Sequence, residues 1–216
     1  MSGEVHSIKT ILRLFPYLND KTKAQQLKID DNSIHYISLR EHADQISNII
    51  QTYTKEIGLI NSDVVITDAT SGVGGNTLSF GMYFGKVNAV EIDTKRSIYL
   101  KNNIGIYELD NINIINDDYT KIYNELYQNV VFIDPPWGGK SYKDHTNLKL
   151  ELSGIPIETL CNNLLDTNIM KKTPEFIVLK LPTNYDIKHL YTVLTCKKIY
   201  FYDLKKMFIL IIVNTI

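Results

Sequence analysis

The chain has 216 residues and a formal net charge of −1, and 44% of its residues are hydrophobic and 22% charged. This length fits one domain with a substantial core, and the composition is ordinary for a soluble globular protein, which excludes a low-complexity chain. The near-neutral charge excludes a surface that is cationic throughout. Lysines nevertheless outnumber acidic residues in the C-terminal third, either on an anion-binding face or as solvated side chains.

The N-terminal part of the chain is predicted to be helical. Apolar residues recur there at helical spacing, namely Ile8, Ile11, Leu12 and Phe15. Pro16 interrupts this helix, residues 29–34 form a polar turn, and residues 40–58 predict an amphipathic helix that stops at Gly58. We interpret residues 1–35 as a small N-terminal helical extension and residues 36–216 as one domain.

From residue 64 onward, short apolar runs alternate with helical stretches. The predicted strands are, in chain order, 64–66, 87–92, 112–115, 130–133, 176–181, 198–202 and 207–213. The predicted helices between them are 75–84, 95–109, 155–170 and 186–194. This alternation predicts an α/β fold with a seven-stranded, mostly parallel sheet, helices on both faces and an antiparallel hairpin at the end.

Cysteine usage and apolar runs indicate the compartment. Cys161 and Cys196 are far apart and have no metal-ligand spacing, so we expect reduced thiols, no metal and an intracellular protein of the nucleus or cytoplasm. The N-terminus has no apolar stretch of the signal-peptide type, and the run 207–213 is too short to cross a bilayer. Heavy use of Ile, Asn, Lys and Tyr is typical of an AT-rich genome, such as that of a protist or a virus.

A Gly-rich turn follows the first predicted strand. Asp68 precedes this turn, which holds four further candidate cofactor contacts, Thr70, Gly72, Gly74 and Asn76. Small residues let the backbone approach a ligand, and glycines tolerate the dihedral angles of a tight turn. A dinucleotide site requires a third glycine beside a pyrophosphate. Asp68 would repel a pyrophosphate and suits the ammonium of a methionyl group, so the turn favours S-adenosylmethionine. The alternative is an ordinary strand-to-helix turn.

Acidic residues end the next two predicted strands. Glu91 can accept hydrogen bonds from both ribose hydroxyls, and Asp93 follows as a further candidate contact. Asp117 and Asp118 end the third strand, where one of them can accept a hydrogen bond from the adenine amine. The sequence does not choose between these two. Acidic residues at successive strand ends favour a class I, Rossmann-like methyltransferase that uses S-adenosylmethionine.

The tetrapeptide Asp134-Pro135-Pro136-Trp137 follows the fourth predicted strand. Two prolines fix φ and remove two backbone donors, which leaves carbonyls free to face an incoming amine, and Asp134 adds an acceptor. Trp137 offers a surface for a stacked base, worth roughly 1–3 kcal/mol, or it is a core residue that holds the loop. A cationic base would add a cation–π contribution of up to ~2 kcal/mol. We predict methyl transfer to an exocyclic amine by positioning, without a metal or a covalent intermediate.

With Gly138 and Gly139 added, this motif resembles that of the trimethylguanosine synthase family, the RNA cap guanine-N2 methyltransferases. The likeness covers roughly residues 25–216. Its other parts are Asp68 with the run 72–77, the acidic second strand at 89–93, the turn at 29–34, and Leu181-Pro182-Thr183-Asn184. The resemblance implies that a 7-methylguanosine-capped RNA is the partner and that its N2 amine receives one or two methyl groups.

The resemblance also implies roles for individual residues. Trp137 would stack on the 7-methylguanine, Glu91 would bind the cofactor ribose, Tyr142 would face the cap phosphates, and Ser38 would lie near the base. Because Thr183 stands where the family has arginine, Lys140 or Lys180 would replace that phosphate contact, and Asn184 is a further candidate substrate contact.

One departure leaves a second substrate class open. The family usually has serine at the position of Asp134, which makes this motif closer to those of general amine methyltransferases. The alternative is therefore an enzyme that methylates guanine-N2 or adenine-N6 of another RNA or DNA. In either case we expect a monomer that does not bind membranes.

Overall fold

The computed structural model describes residues 6–196 and 198–214, and the chain divides into two compact units. The first unit ends at Asp117 and the second begins at Asp118. Within the described ranges, no helix has the length and apolar character needed to cross a membrane. The two units are described separately below.

The first unit contains six helices and three strands among its described residues. The helices are α1 (Ile8–Leu14), α2 (Lys21–Ala24), α3 (Ser33–Tyr36), α4 (Arg40–Glu56), α5 (Gly75–Tyr83) and α6 (Thr94–Tyr107). The strands are β1 (Val65–Asp68), β2 (Lys86–Val90) and β3 (Ile112–Ile115), and a 3-10 turn spans Asn61–Asp63. Helix α1 begins where the Ser7 hydroxyl accepts a hydrogen bond from the Thr10 backbone N–H, as expected for an N-cap serine.

The second unit contains the remaining strands and three short helices in its described part. The strands are β4 (Val130–Ile133), β5 (Glu151–Leu152), β6 (Ile155–Pro156), β7 (Phe176–Pro182), β8 (Ile199–Asp203) and β9 (Met207–Val213). The helices are α7 (Tyr119–Ile122), α8 (Ile157–Leu165) and α9 (Ile187–Val193), with a 3-10 helix at Gly139–Asp144. All residues of β4 and β7 are buried, as expected for central strands of an α/β sheet.

The main sheet has seven strands in the order β3-β2-β1-β4-β7-β9-β8. Strand β2 is parallel to both β1 and β3, and β4 is parallel to β7. Strand β9 is antiparallel to its neighbours β7 and β8. The predicted α/β fold is therefore confirmed, including the antiparallel hairpin at the end of the chain. A small separate hairpin pairs β5 with β6.

The core of the first unit joins the N-terminal helix to the Gly-rich turn. Ile11, Leu14 and Phe15 belong to the same buried cluster as Val73 and Leu78. Fully burying an aliphatic side chain of this size contributes roughly 1.5–3 kcal/mol, so α1 stabilises the segment that carries the turn. The division of the chain at residue 35 stays a prediction.

The long predicted elements are present, and the differences concern short ones. Helix 155–170 was predicted too long, because β6 takes its first residues and Asp166 ends α8 as its C-cap. Helices α2, α3 and α7 and the β5–β6 hairpin were not predicted individually, and α3 begins inside the predicted polar turn 29–34. They have two to four residues each, too few to show a periodic pattern.

Candidate active site

Asp68 is buried at the end of β1, where neighbouring groups hold its carboxylate. Oδ2 accepts a hydrogen bond of 2.6 Å from the Thr77 hydroxyl, and Oδ1 accepts one of 3.2 Å from the Thr70 backbone N–H. The Ser71 N–H donates to the Val90 carbonyl oxygen at 2.9 Å, which joins the turn to the end of β2. Asp68 therefore shapes the Gly-rich turn, and Thr70 takes part through its backbone.

Two of the predicted glycines occupy left-handed backbone positions. Gly74 is the N-cap of α5 with φ of 109°, and a Cβ there would lie 2.9 Å from Leu100 Cδ1. Gly72 has φ of 54°, and a Cβ there would meet no heavy atom within 4 Å. Gly74 is thus required by conformation and packing, whereas the backbone of Gly72 borders open space.

Glu91 follows β2, and both of its carboxylate oxygens accept backbone hydrogen bonds. Oε2 accepts from Gly72 N at 2.7 Å, and Oε1 accepts from Asp93 N at 2.8 Å. Burial raises the pKa of Glu91 above its usual value, and these two hydrogen bonds oppose that increase. Each carboxylate oxygen can accept a second hydrogen bond, so Glu91 retains the capacity to bind two hydroxyls. These acceptors beside the open face of Gly72 fit the ribose of S-adenosylmethionine.

Three other candidate cofactor residues of the first unit differ in burial and in hydrogen bonding. Asp93 is exposed and caps α6, with its Oδ1 accepting from Arg96 N at 2.9 Å. Asn76 is buried and donates from Nδ2 to Ser38 Oγ at 3.0 Å, while its Oδ1 has no hydrogen-bond partner. The structure therefore brings together Asn76 and Ser38, which were predicted for cofactor and substrate. Asp117 is exposed after β3.

Asp118, the first residue of the second unit, is buried and caps α7. Its Oδ1 accepts hydrogen bonds from Thr120, at 3.0 Å from the backbone N–H and 2.8 Å from the hydroxyl. Burial raises the pKa of this carboxyl, but hydrogen bonds from Thr120 and from Ser153 outweigh burial and hold it below its usual value. Asp118 is therefore a fixed carboxylate. The choice between Asp117 and Asp118 as the adenine contact stays open.

The amine motif contains an ion pair. Lys180 Nζ lies 2.5 Å from Asp134 Oδ2, and both side chains are largely buried. In the parallel pairing of β4 with β7, Ile133 lies opposite Leu179, so the residues that follow them are neighbours. Burial raises the pKa of Asp134, while the charge and hydrogen bond of Lys180 and the indole N–H of Trp137 lower it. Lys180 was predicted as a phosphate contact; its ammonium is engaged with Asp134.

Trp137 is half-buried between two side chains of the second unit. Its ring centroid is 5.2 Å from that of Tyr142, and the rings are nearly perpendicular, at 77°. Lys180 Nζ lies 5.4 Å from the indole centroid. The indole N–H is buried and makes no hydrogen bond of ordinary geometry. The ring is therefore oriented by its neighbours while part of its surface stays accessible.

Asn184 supports the loop that carries Tyr142. Its Nδ2 donates to the backbone carbonyl oxygens of Tyr142 and His145, both at 2.7 Å, and its backbone carbonyl oxygen accepts from Leu148 N at 2.9 Å. The sequence predicted Asn184 as a substrate contact and missed this supporting role. Lys140 lies in the 3-10 helix of the same loop, and its side chain is outside the described part of the structure.

One buried residue of the first unit was missed altogether. Asn103 on α6 donates from Nδ2 to the carbonyl oxygens of Val73 and Lys28, both at 2.8 Å, and its Oδ1 accepts from Lys28 N at 2.8 Å. It therefore ties the Gly-rich turn to the N-terminal segment. Its position between Leu100 and Ile104 on the apolar side of α6 was the available signal.

Comparison with solved structures shows the fold class. One is the 16S rRNA N2 methyltransferase of T. thermophilus, with a TM-score of 0.57 at 12% identity, covering 87% of this chain and 44% of that one. Another is an rRNA methylase of Streptococcus thermophilus, with a TM-score of 0.50 at 11% identity, covering 81% and 94% of the two chains. These similarities show the fold of class I methyltransferases.

The family follows from the sequence. A family model described as RNA cap guanine-N2 methyltransferase matches residues 63–209, and the chain belongs to this family. It is 37% identical to an uncharacterized protein of Acanthamoeba polyphaga mimivirus, over 96% of this chain and 86% of that protein. It is 32% identical to the trimethylguanosine synthase of Schizosaccharomyces pombe, over 58% and 53% of the two chains. The predicted class, an S-adenosylmethionine-dependent methyltransferase, is confirmed.

Proposed function

We propose that this protein methylates the exocyclic N2 amine of 7-methylguanosine in an RNA cap. Bound S-adenosylmethionine would supply an activated sulfonium methyl: the N–CH3 bond would form as the S–CH3 bond breaks, and the amine nitrogen would lose one proton to water. Because the methyl is already activated, the protein contributes mainly by holding the two reactants in line. No protein nucleophile is required.

The first unit binds the methyl donor in this proposal. Glu91 accepts hydrogen bonds from the ribose hydroxyls, and the backbone around Gly72 lies against the donor because no side chain fills that space. Asp68, Thr70 and Asn76 serve the methionyl end. Asp93 and Asp117 serve the adenosine end; Asp118, the alternative to Asp117 as the adenine contact, belongs to the second unit.

The second unit binds the base, and the observation that carries the proposal is the orientation of Trp137 beside Asp134. The part of the indole left accessible by Tyr142 and Lys180 offers a face to a flat base. The Asp134 carboxylate and the carbonyls of Pro135 and Pro136 accept the hydrogens of the base's amine. A positively charged 7-methylguanine gains from the indole face an attraction that an uncharged guanine lacks. Tyr142 completes the substrate contacts of this unit, and Ser38, a residue of the first unit, stays a predicted substrate contact.

A mass-spectrometric assay tests the substrate. The protein is incubated with S-adenosylmethionine and a 7-methylated cap dinucleotide, and an otherwise identical cap without the N7 methyl is the matched control. We expect a mass increase of one or two methyl groups on the 7-methylated cap and none on the control. Equal methylation of both caps would contradict the cation–π selection, and no methylation of either would reject the cap as the substrate.

A second candidate is methylation of guanine-N2 or adenine-N6 in another RNA. The ionic pair of Asp134 with Lys180 favours it, because a carboxylate accepts hydrogens equally well from either amine. Uncapped RNA of mixed sequence, added to the same assay and digested to nucleosides, distinguishes the candidates. Methylated guanosine or adenosine from uncapped RNA, without cap methylation, would replace the first proposal by the second.

A further inference from the structure

Lys180 is a charged residue inside an apolar, fully buried strand. Its neighbours along β7 are Leu179 and Leu181, and all positions of the strand are buried. A lysine in such a place needs a compensating negative charge, because burial disfavours the charged ammonium. The Asp134 carboxylate provides this charge at 2.5 Å.

The dependence is mutual. Asp134 is also removed from water, and burial raises the pKa of its carboxyl. The groups that act against this increase are the Lys180 ammonium, from β7, and the Trp137 indole N–H, from Asp134's own loop. Of these two groups, Lys180 alone carries a full charge. Removing this cation would therefore favour the protonated carboxyl.

Lys180 also contacts the aromatic part of the site. Its ammonium lies 5.4 Å from the centroid of the Trp137 ring, within the range of a cation–π interaction. One cation thus contacts both the carboxylate and the indole. A change at Lys180 affects the charge of one group and the orientation of the other.

We propose that Lys180 is a positioning residue for methyl transfer, which holds Asp134 as an oriented carboxylate that accepts the substrate's amine hydrogens beside Trp137. The inference rests on the proposed function, because it assigns the amine to Asp134. It adds that the Asp134 carboxylate and the Lys180 ammonium act together as one ion pair. The two residues are therefore expected to be replaceable together by a neutral pair, but not separately.

The first experiment measures the charge of Asp134 without any substrate. Trp137 is the only tryptophan of the chain, so its fluorescence reports on the group beside it. We expect an acid transition in the emission of the wild-type protein and a transition at least one pH unit higher in Lys180→Met, because loss of the cation raises the pKa of the carboxyl. Identical transitions in the two proteins would overturn the proposal.

The second experiment measures turnover on whichever base amine the wild-type protein methylates. We expect Lys180→Met to lower kcat at least 10-fold at pH 7, and to recover part of it as the pH rises and Asp134 ionises. Combining it with Asp134→Asn supplies a neutral amide acceptor opposite an apolar side chain. This double variant should be more active at pH 7 than Lys180→Met, and its kcat should no longer fall as the pH is lowered through the titration of Asp134.

The controls separate the possible outcomes. Lys172→Met removes a lysine of the same unit whose partner Glu175 lies 3.2 Å away in a more exposed pair, and it should leave both the fluorescence transition and kcat unchanged. Absence of cap methylation by the wild-type protein would reject the proposed substrate. The fluorescence comparison would then still test whether Lys180 keeps Asp134 ionised. A double variant no more active than Lys180→Met would reject the positioning role.

Discussion

The Gly-rich turn after β1 begins with a buried carboxylate and the amine motif after β4 with a largely buried one, but the two carboxylates are held differently. Asp68 accepts hydrogen bonds from neutral donors that lie two and nine residues away. Asp134 is paired with a cation 46 residues away on another strand. A carboxylate held by local neutral groups belongs to the shape of its loop. A carboxylate held by a distant cation belongs to a charge pair that tertiary structure creates.

This difference predicts that single substitutions in the amine motif mainly lower activity, whereas substitutions in the Gly-rich turn mainly lower cofactor affinity or stability.

The largest expected effect is that of Trp137→Ala. Loss of stacking and cation–π attraction, roughly 1–3 and up to ~2 kcal/mol, should lower kcat/KM on the 7-methylated cap by about 100-fold or more. Cofactor affinity, measured by calorimetry, should survive.

A matched control for this variant is Phe201→Ala, which removes an aromatic ring exposed on β8 of the same unit. Its kcat/KM should stay near the wild-type value. Near-normal turnover in Trp137→Ala would mean that the base is held elsewhere, and the contrast between the two regions would lose its basis.

The second effect concerns Glu91→Ala. Its carboxylate holds the Gly72 N–H and, in our proposal, the ribose hydroxyls, and hydrogen bonds to a charged group contribute about 1.5–3 kcal/mol each. Loss of one such bond corresponds to about 10- to 100-fold, so we expect the affinity for S-adenosylmethionine, measured by calorimetry, to fall by about 10-fold or more. Glu91→Gln, which keeps one carbonyl acceptor, should have an intermediate affinity. Unchanged affinity in Glu91→Ala would reject the ribose contact.

The smallest expected effect tests whether the Gly-rich turn depends on the backbone conformation and packing at Gly74. Gly74→Ala places a Cβ at φ of 109° and 2.9 Å from Leu100 Cδ1, so the free energy of unfolding should fall by about 1–3 kcal/mol. Gly105→Ala is the control, because Gly105 lies in α6 with no atom near its added Cβ. That change should raise the free energy of unfolding by roughly 0.5–1 kcal/mol. Urea unfolding measures both, and equal stability of the two variants would contradict the packing argument.

Most of the fold was predictable because its long elements have clear periods. The buried strands are continuous apolar runs, and α4 has an apolar face that includes Ala43, Ile46 and Ile50. Of the site, the residues that follow strands were predictable, because the carboxyl ends of parallel strands carry the ligand-binding residues of this fold class. The roles of individual side chains as cofactor or substrate contacts stay predictions.

The sequence by itself determined the order of the long strands and helices along the chain, the glycines of the turn and the Asp-Pro-Pro-Trp motif. Local spacing and backbone conformation are enough to recognise each of these features. Tertiary structure alone decided that Lys180 meets Asp134, that Asn103 ties the turn to Lys28, and that Asn184 holds the loop of Tyr142. These contacts join residues between 30 and 75 positions apart. Which residues meet at such distances depends on strand register and helix packing, and local sequence patterns do not encode either.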